Sequence, residues 1–459
     1  MPQTVHDKHT HTGKAVPAGK ADQVRAWAGE AFWVGFGLIT GVIALFAGTR
    51  FLTHLMATDE YGRLALAVSL STLAVLIFGD PIGKTAVRFY SLWCRAGKPR
   101  GFLQNMGKSL ARSMGCIGLC CVIVMLYSHY FHAGTGTYLI LSTGMFAGIL
   151  VCNRLALALE DAARERRFRG VLQGGFEMLR FGSAIVLITI FALPFAETVL
   201  FGFVLAGVLV VMVHGSFLYR LFHRDQAEIK GPAHKVSETD LSRLDSAGMR
   251  SFQSPLFVSS ACIWLVMMAE RWTLQYFGSP EDVGGYAAVY QLAFIPMLLL
   301  SNFLILLIEP VLYQVVETDG KTASFEQTNR INNYAVFGIL IFSVVLSSGL
   351  FFVHPLAGIL LLGAEFRSYS WIFPWLLLAG GCFAATRQLL LKFSYDMRTD
   401  LLAKIWGAAA AASVAAYTIG AFLGQLKGLL AAVVLANMTL LGFSLVFVHK
   451  RQAAKKFRK

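Results

Sequence analysis

The sequence predicts an all-α membrane protein of about twelve transmembrane helices, and both its composition and its hydrophobic pattern favour this class. Of 459 residues, 56% are hydrophobic and only 14% are charged, whereas soluble domains carry about a quarter charged residues. Apolar runs near or above the roughly 20 residues needed to cross a hydrocarbon core recur from Ala31 to Val448. These runs lack the alternating pattern of barrel strands, so we expect helices.

The apolar length of each run places the predicted spans. The first half contains six, at residues 30–52, 62–80, 109–131, 135–157, 175–195 and 198–221. The second half contains six more, at residues 254–276, 284–309, 332–353, 370–393, 401–423 and 427–448. The corresponding organisation is a cytoplasmic tail at 1–29, an N-lobe at 30–222, a cytoplasmic linker at 223–253, a C-lobe at 254–449 and a basic cytoplasmic tail at 450–459.

Lysines and arginines are distributed in a way that predicts the topology. These residues accumulate in the cytoplasmic loops of membrane proteins. With the N-terminus placed inside, 35 of the 40 fall in cytoplasmic segments, and the exceptions are Arg50, Arg63, Arg271, Arg367 and Lys427. We therefore expect both termini to be cytoplasmic. The net charge of +14 is then mainly a consequence of topology, and nucleic-acid binding has little support.

The polar segments are too short to hold an enzyme domain. The longest, about His223–Ser254, contains Gly231 and Pro232 and is predicted to be the linker between the halves. The segment Gly79–Thr85 has three residues between its glycines, where a nucleotide-binding loop needs four. We expect no enzymatic activity, no metal site and no cofactor.

An internal repeat indicates two similar lobes. In Arg50–Gly62 a glutamate follows the arginine after ten residues and a glycine follows soon afterwards, and Arg271–Gly284 repeats this pattern with Glu281. Six predicted spans separate the copies. Because six is even, the halves run in the same direction and are related by a pseudo-two-fold axis along the membrane normal.

At the same segments the chain resembles a known family. Arg50–Leu70, with the sequence RFLTHLMATDEYGRLALAVSL, and Glu270–Pro296, with the sequence ERWTLQYFGSPEDVGGYAAVYQLAFIP, resemble the first and seventh-to-eighth helix hairpins of Wzx-type polysaccharide flippases. These belong to the multidrug, oligosaccharidyl-lipid and polysaccharide exporter superfamily. Leu360–Glu365 (LLLGAE) is similar to the family's turn before helix ten. Glu270 stands where an aspartate is more usual.

The resemblance implies alternating access of the two lobes in a bacterial inner membrane, and a polyprenyl-diphosphate-linked oligosaccharide moved to the periplasmic leaflet for surface polysaccharide synthesis. Membrane lipids, a polysaccharide polymerase and glycosyltransferases are its candidate partners. Two alternatives stay open. A cation-coupled multidrug exporter of the same superfamily would have the same helices but should favour buried carboxylates, and a membrane polysaccharide polymerase is disfavoured by the short external loops.

Charged residues within the spans are candidate site residues, because burying a charge at mid-bilayer costs about 2.5–3.5 kcal/mol on insertion scales. A diphosphate in transit needs cationic partners, and Arg50 and Arg271 occupy equivalent repeat positions. The alternative for both is snorkelling to the headgroups. Adjacent side chains on a helix diverge, so we expect Glu270 to pair across helices or to bind a coupling cation.

A second group of candidates lies towards the cytoplasmic side. Asp80-Pro81 is typical of an N-cap followed by proline, and it predicts a short amphipathic helix at the interface with Asp80, Lys84 and Arg88 on one face. This face would receive the diphosphate first, or would simply be solvated. Arg387 is a further candidate for the cationic cavity, and Glu177, like Asp80 and Glu270, is a candidate for ion coupling or helix pairing.

Overall fold

The chain is all-helical in the part that the structure describes. The structure is a computed structural model that describes residues 20–95, 99–131, 136–163, 165–228, 246–318, 322–395 and 399–457. The helices of the first half are α1 (Lys20–Leu55), α2 (Thr58–Ala74), α3 (Asp80–Arg95), α4 (Pro99–Phe131), α5 (Thr137–Ala162), α6 (Arg166–Phe191) and α7 (Ala196–Glu228). Those of the second half are α8 (Ser246–Phe277), α9 (Pro280–Thr318), α10 (Thr322–Leu361), α11 (Phe373–Tyr395) and α12 (Thr399–Phe457).

Ten stretches of the described residues are long and apolar enough to cross a membrane. One of them, Leu401–Val448 in α12, is 48 residues long, about twice what one crossing requires. Its backbone leaves the helical region at Gly424 and Gln425, so α12 contains the last two predicted spans. Helix α8 lies outside the ten and packs along α12. The all-α, multi-pass fold is confirmed, while the location of the termini stays a prediction.

Each half packs mainly against itself. In the first half α1 lies along α6, and α7 lies between α5 and α6; in the second, α11 lies between α9 and α10, and α8 packs on α12. The principal contact between the halves joins α2 to α9, with further contacts between α1 and α9. These two lobes therefore meet along a seam that carries both copies of the sequence repeat.

The prediction that Asp80 caps a separate interfacial helix is wrong. Helix α2 continues into α3 through a π-helical turn at Val75–Gly79, and Asp80 itself has helical backbone angles. Without a helix start at this position, Asp80 has no free N-terminal N–H groups to cap. Its carboxylate instead accepts a hydrogen bond of 2.6 Å from Nε of Arg154 on α5.

The predicted domain boundaries stay predictions. Helix α7 reaches Glu228 and α8 begins at Ser246, so helix covers both edges of the segment predicted as a linker at 223–253. The middle of that segment, 229–245, lies outside the described residues, as do 1–19 of the predicted N-terminal tail and the last two residues of the C-terminal tail.

Candidate functional site

A small cavity lies between the lobes where α1, α2, α6 and α7 face α8 and α9. Eleven residues line it. Most are apolar, and the polar ones are Tyr61, Arg180, Arg271 and Gln291. Its volume is about 40 Å³, which has room for a few water molecules. The charged lining residues are thus two arginines, one from each lobe, in a conformation too narrow for a large substrate.

Arg180 enters the cavity wall from α6 with a cluster of aromatic rings around it. Its guanidinium lies 4.8 Å from the ring centroid of Phe181 and 5.3 Å from that of Phe203. Glu177, one turn earlier, forms an ion pair with it at 2.5 Å. The Nε of Arg180 is buried and has no hydrogen-bond partner. One side of the guanidinium is therefore held in place, and donor capacity remains for a ligand.

Arg271 is the counterpart of Arg180 in the other lobe. Only 5% of it is exposed, and its guanidinium lies 4.5 Å from the ring centroid of Tyr290. Tyr290 is stacked on Phe294 and donates a hydrogen bond from its hydroxyl to the Met267 carbonyl oxygen. The Nε of Arg271 has no hydrogen-bond partner. Fixed aromatic neighbours thus orient a second guanidinium at the cavity.

Glu270 is buried beside this arginine. The expectation of a partner on another helix is not met among the described residues, because both its carboxylate oxygens lack a hydrogen-bond partner. Its Oε1 lies 3.9 Å from Nε of Arg271, a loose ion-pair contact. The Tyr286 hydroxyl is also buried and without a hydrogen-bond partner. The C-lobe therefore holds a buried carboxylate with free lone pairs, as a cation-coupling residue requires.

Glycines close one side of the cavity, at the predicted external end. A Cβ added at Gly62 would lie 2.6 Å from the Pro280 carbonyl oxygen, and one added at Gly284 would overlap the Thr58 carbonyl oxygen. The two copies of the repeat thus touch backbone to backbone. Tyr61 packs edge-on against Phe366 of the 3-10 segment Ala364–Ile372, with ring centroids 5.5 Å apart. This end of the seam is closed.

The other predicted cationic residues lie outside this cavity wall. Arg50 is half-buried on α1, and its Nη1 is buried without a hydrogen-bond partner. Lys84 is exposed, and Arg88 is half-buried with its guanidinium 5.7 Å from the Phe89 ring centroid. Arg387 is half-buried on α11.

Asp80 and Arg154 form a second polar group away from the cavity. Besides the hydrogen bond between them, Asp80 lies within electrostatic range of Lys84 and of Arg387, which belongs to the other lobe. Three predicted site residues are therefore brought together here. The role of this group as a first contact for an anion stays a prediction.

Sequence reasoning missed Arg180 as a cavity residue. It is not among the five lysines and arginines predicted to lie on the external side, and it lies 14 residues into α6, about 21 Å along the helix axis. The available signal was an arginine and a glutamate one turn apart inside an apolar run. That pattern also fits a helix-pairing ion pair, and only the packing of α6 distinguishes the two.

Comparison with solved structures identifies the fold. One similar structure is a mutant form of the Vibrio cholerae MATE transporter VcmN, with 13% identity, a TM-score of 0.56, and coverage of 94% of this chain and 98% of that one. A multidrug resistance MATE family transporter of the MOP superfamily, in an inward-facing conformation, has 12% identity, a TM-score of 0.57 and coverage of 92% and 95%. A MATE transporter in the straight conformation has 12% identity, a TM-score of 0.59 and coverage of 94% and 96%.

These likenesses show a MATE-like two-lobe fold over nearly the whole chain. No protein-family model matches the sequence, and no curated protein matches it.

Proposed function

We propose that this chain is an alternating-access transporter that moves a polyprenyl-diphosphate-linked oligosaccharide across a bacterial inner membrane. The observation that carries the proposal is the pair Arg180 and Arg271, one from each lobe, which are the charged side chains of the central cavity. Guanidinium groups match the geometry of phosphate oxygens and form strong charge-assisted hydrogen bonds with them. A diphosphate held between the lobes would contact both.

The closed glycine contacts support the transport cycle in this proposal. A cavity of about 40 Å³ cannot hold a glycan, so the lobes must separate to admit one. Separation at one end and closure at the other expose the arginines to one leaflet at a time. The polyprenyl chain remains in the lipid, while the glycan passes along the seam and avoids the hydrocarbon core.

Export of drugs is the second candidate, and the fold comparison favours it over the flippase. The similar solved structures are MATE transporters, one of them described as a multidrug resistance transporter. Such a function would use Glu270 as the residue that binds a cation. The charged residues that line the cavity favour an anionic substrate over a cationic drug, because both are arginines and no carboxylate is among the eleven lining residues.

The two functions separate in proteoliposomes that contain the purified protein. One assay follows a fluorescent polyprenyl-diphosphate oligosaccharide and measures how much of the glycan an impermeant lectin can reach. The other follows ethidium, a cationic drug, driven by an imposed sodium or proton gradient. We expect the protein to equilibrate the lipid-linked glycan and to leave ethidium unmoved. Ethidium transport without glycan translocation would establish the exporter and overturn the flippase.

A further inference from the structure

A buried histidine–carboxylate pair lies inside the N-lobe, away from the cavity. Nδ1 of His214 on α7 lies 2.5 Å from Oε1 of Glu160 near the end of α5. Both residues are almost completely buried, with 1% and 0% exposure. Ionisable side chains at such positions in a membrane protein are costly and are by default functional candidates.

The outer atoms of the pair are without partners. Oε2 of Glu160 and Nε2 of His214 are both buried and make no hydrogen bond. Among the described residues, the charged groups in electrostatic range of Glu160 besides His214 are Asp161 and Arg169, which form their own ion pair at 3.0 Å. Arg154 and Arg166 act on that ion pair but not on Glu160 itself. The opposite charges of Asp161 and Arg169 offset each other, so they leave the net charge of the histidine–carboxylate pair uncompensated.

The geometry favours a proton over a metal ion as the ligand. At 2.5 Å the imidazole nitrogen and the carboxylate oxygen are in direct contact, and no ion fits between them. Hard cations also need six or more oxygen ligands, whereas Glu160 is the one carboxylate in contact with His214 among the described residues, and neighbouring Asp161 is paired with Arg169. No group of three or more metal-binding side chains occurs among the described residues.

We propose that Glu160 and His214 form a proton-binding site that couples transport to the proton gradient. Before it binds the proton, the pair carries one negative charge, and neutral His214 donates its Nδ1 hydrogen to the Glu160 carboxylate. A proton taken from water binds Nε2, giving an imidazolium beside a carboxylate with no net charge. The pair without the proton therefore has an uncompensated buried charge, which is costly. This state favours a conformation in which water reaches the pair.

Helix α5 connects this site to the seam, because it packs against α2. It also carries Arg154, whose Nε donates a hydrogen bond to Asp80 directly after the π-helical turn. π-Helical turns occur often at functional sites. The ring of Phe168 on α6 lies edge-on to His214 and is stacked on Phe217, so these rings shield the pair in the present conformation. Opening to water requires α6 and α7 to shift near these rings.

The binding of the proton can be tested without a transport substrate. Protein labelled with ¹⁵N-histidine is titrated between about pH 5 and pH 9, the range in which histidine charge commonly changes, and the His214 resonance is assigned by its loss in His214→Gln. We expect one protonation step at His214 that changes in Glu160→Gln and persists in His354→Gln. His354 serves as the control because it is half-buried on α10, beside Ser370 and in the other lobe. A His214 resonance that keeps one protonation state throughout overturns the site.

The coupling is tested in proteoliposomes, and it rests on the proposed transport function. The probes are the fluorescent lipid-linked glycan and ethidium, each driven by a pH gradient or exchanged without one. We expect Glu160→Gln and His214→Gln to lower gradient-driven transport about tenfold, within the usual range for coupling between linked sites, and to leave exchange unchanged. Equal losses in both assays, or gradient-driven transport at the wild-type rate, overturn the coupling. Transport of neither probe by wild type refutes the proposed function and coupling, whereas the ¹⁵N titration tests proton binding alone.

Discussion

The backbone N–H of Gly363 donates a 2.9 Å hydrogen bond to Oγ1 of Thr53 in the opposite lobe. The approach is so close that a Cβ on Gly363 would overlap the Thr53 carbonyl oxygen. Glycine is therefore required at this position because any side chain would collide with α1. Its backbone angles are extended and would not themselves require glycine. Together with Gly62 and Gly284, it lets the two lobes close on each other at the predicted external end.

Substitution of these glycines should hold the lobes apart. We expect Gly284→Ala and Gly363→Ala to favour an open external end, because each new methyl group overlaps a backbone carbonyl of the other lobe. The measurement is the rate at which an impermeant maleimide, added outside, labels a cysteine placed at Gln291 in the cavity wall. Both variants should label at least several-fold faster than the parent.

Gly349→Ala is the matched control, since its added Cβ would meet no atom within 4 Å. Its labelling rate should equal that of the parent protein. If Gly284→Ala and Gly363→Ala reach the membrane in normal amounts and also label at the parent rate, the glycine contacts do not close the cavity.

The sequence predicted the spans well because their signal is local. Each crossing needs a continuous apolar run, and each predicted span overlaps a helix of the structure. The repeat that contains Arg50 and Arg271 also predicted two similar lobes, and the structure adds that its copies meet at Gly62 and Gly284. Both features depend on composition and spacing, which a sequence contains directly.

The charged site was harder to predict because it depends on helix rotation. Arg180 and Arg50 both lie in apolar helices, yet only Arg180 lines the cavity with Arg271. The buried pair of Glu160 and His214 was also missed. Its members lie 54 residues apart in the sequence, and the rotation and packing of their two helices bring them together. Likewise, the pattern around Asp80 predicted a new helix, because a π-helical turn leaves no signal in hydrophobic length.

Removal of either cavity arginine should weaken binding of an anionic substrate. Hydrogen bonds to charged groups contribute about 1.5–3 kcal/mol, so we expect Arg180→Gln and Arg271→Gln each to reduce apparent affinity for the lipid-linked glycan by about 10- to 100-fold. The titration of glycan translocation against substrate density measures this. Arg220→Gln, at an exposed position on α7, should leave the affinity unchanged. An improved affinity for ethidium with no loss for the glycan would contradict an anion site.

The aromatic ring beneath Arg271 should matter through its face rather than its hydroxyl. Tyr290→Leu removes a cation–π contact that contributes up to about 2 kcal/mol when desolvated, so we expect glycan affinity to fall by about tenfold or more. Tyr290→Phe keeps the ring and loses only the hydrogen bond to Met267. It should stay within about fivefold of wild type, since one neutral hydrogen bond contributes about 1 kcal/mol. Equal effects of the two substitutions would show that ring position is not what orients Arg271.

Glu270 tests whether the C-lobe holds a coupling ion or a structural ion pair. If it binds a cation during transport, Glu270→Gln should abolish stimulation by sodium or protons, and Glu270→Asp should retain part of it. Glu270→Gln should leave the thermal stability equal or higher, because the native carboxylate oxygens have no hydrogen-bond partners and an unsatisfied buried charge is costly. A structural pair with Arg271 predicts the reverse, since loss of one partner strands a buried guanidinium. Thermal unfolding in detergent and ion-dependent transport, measured on the same two variants, therefore distinguish the roles: lower stability with intact ion stimulation would refute coupling at Glu270.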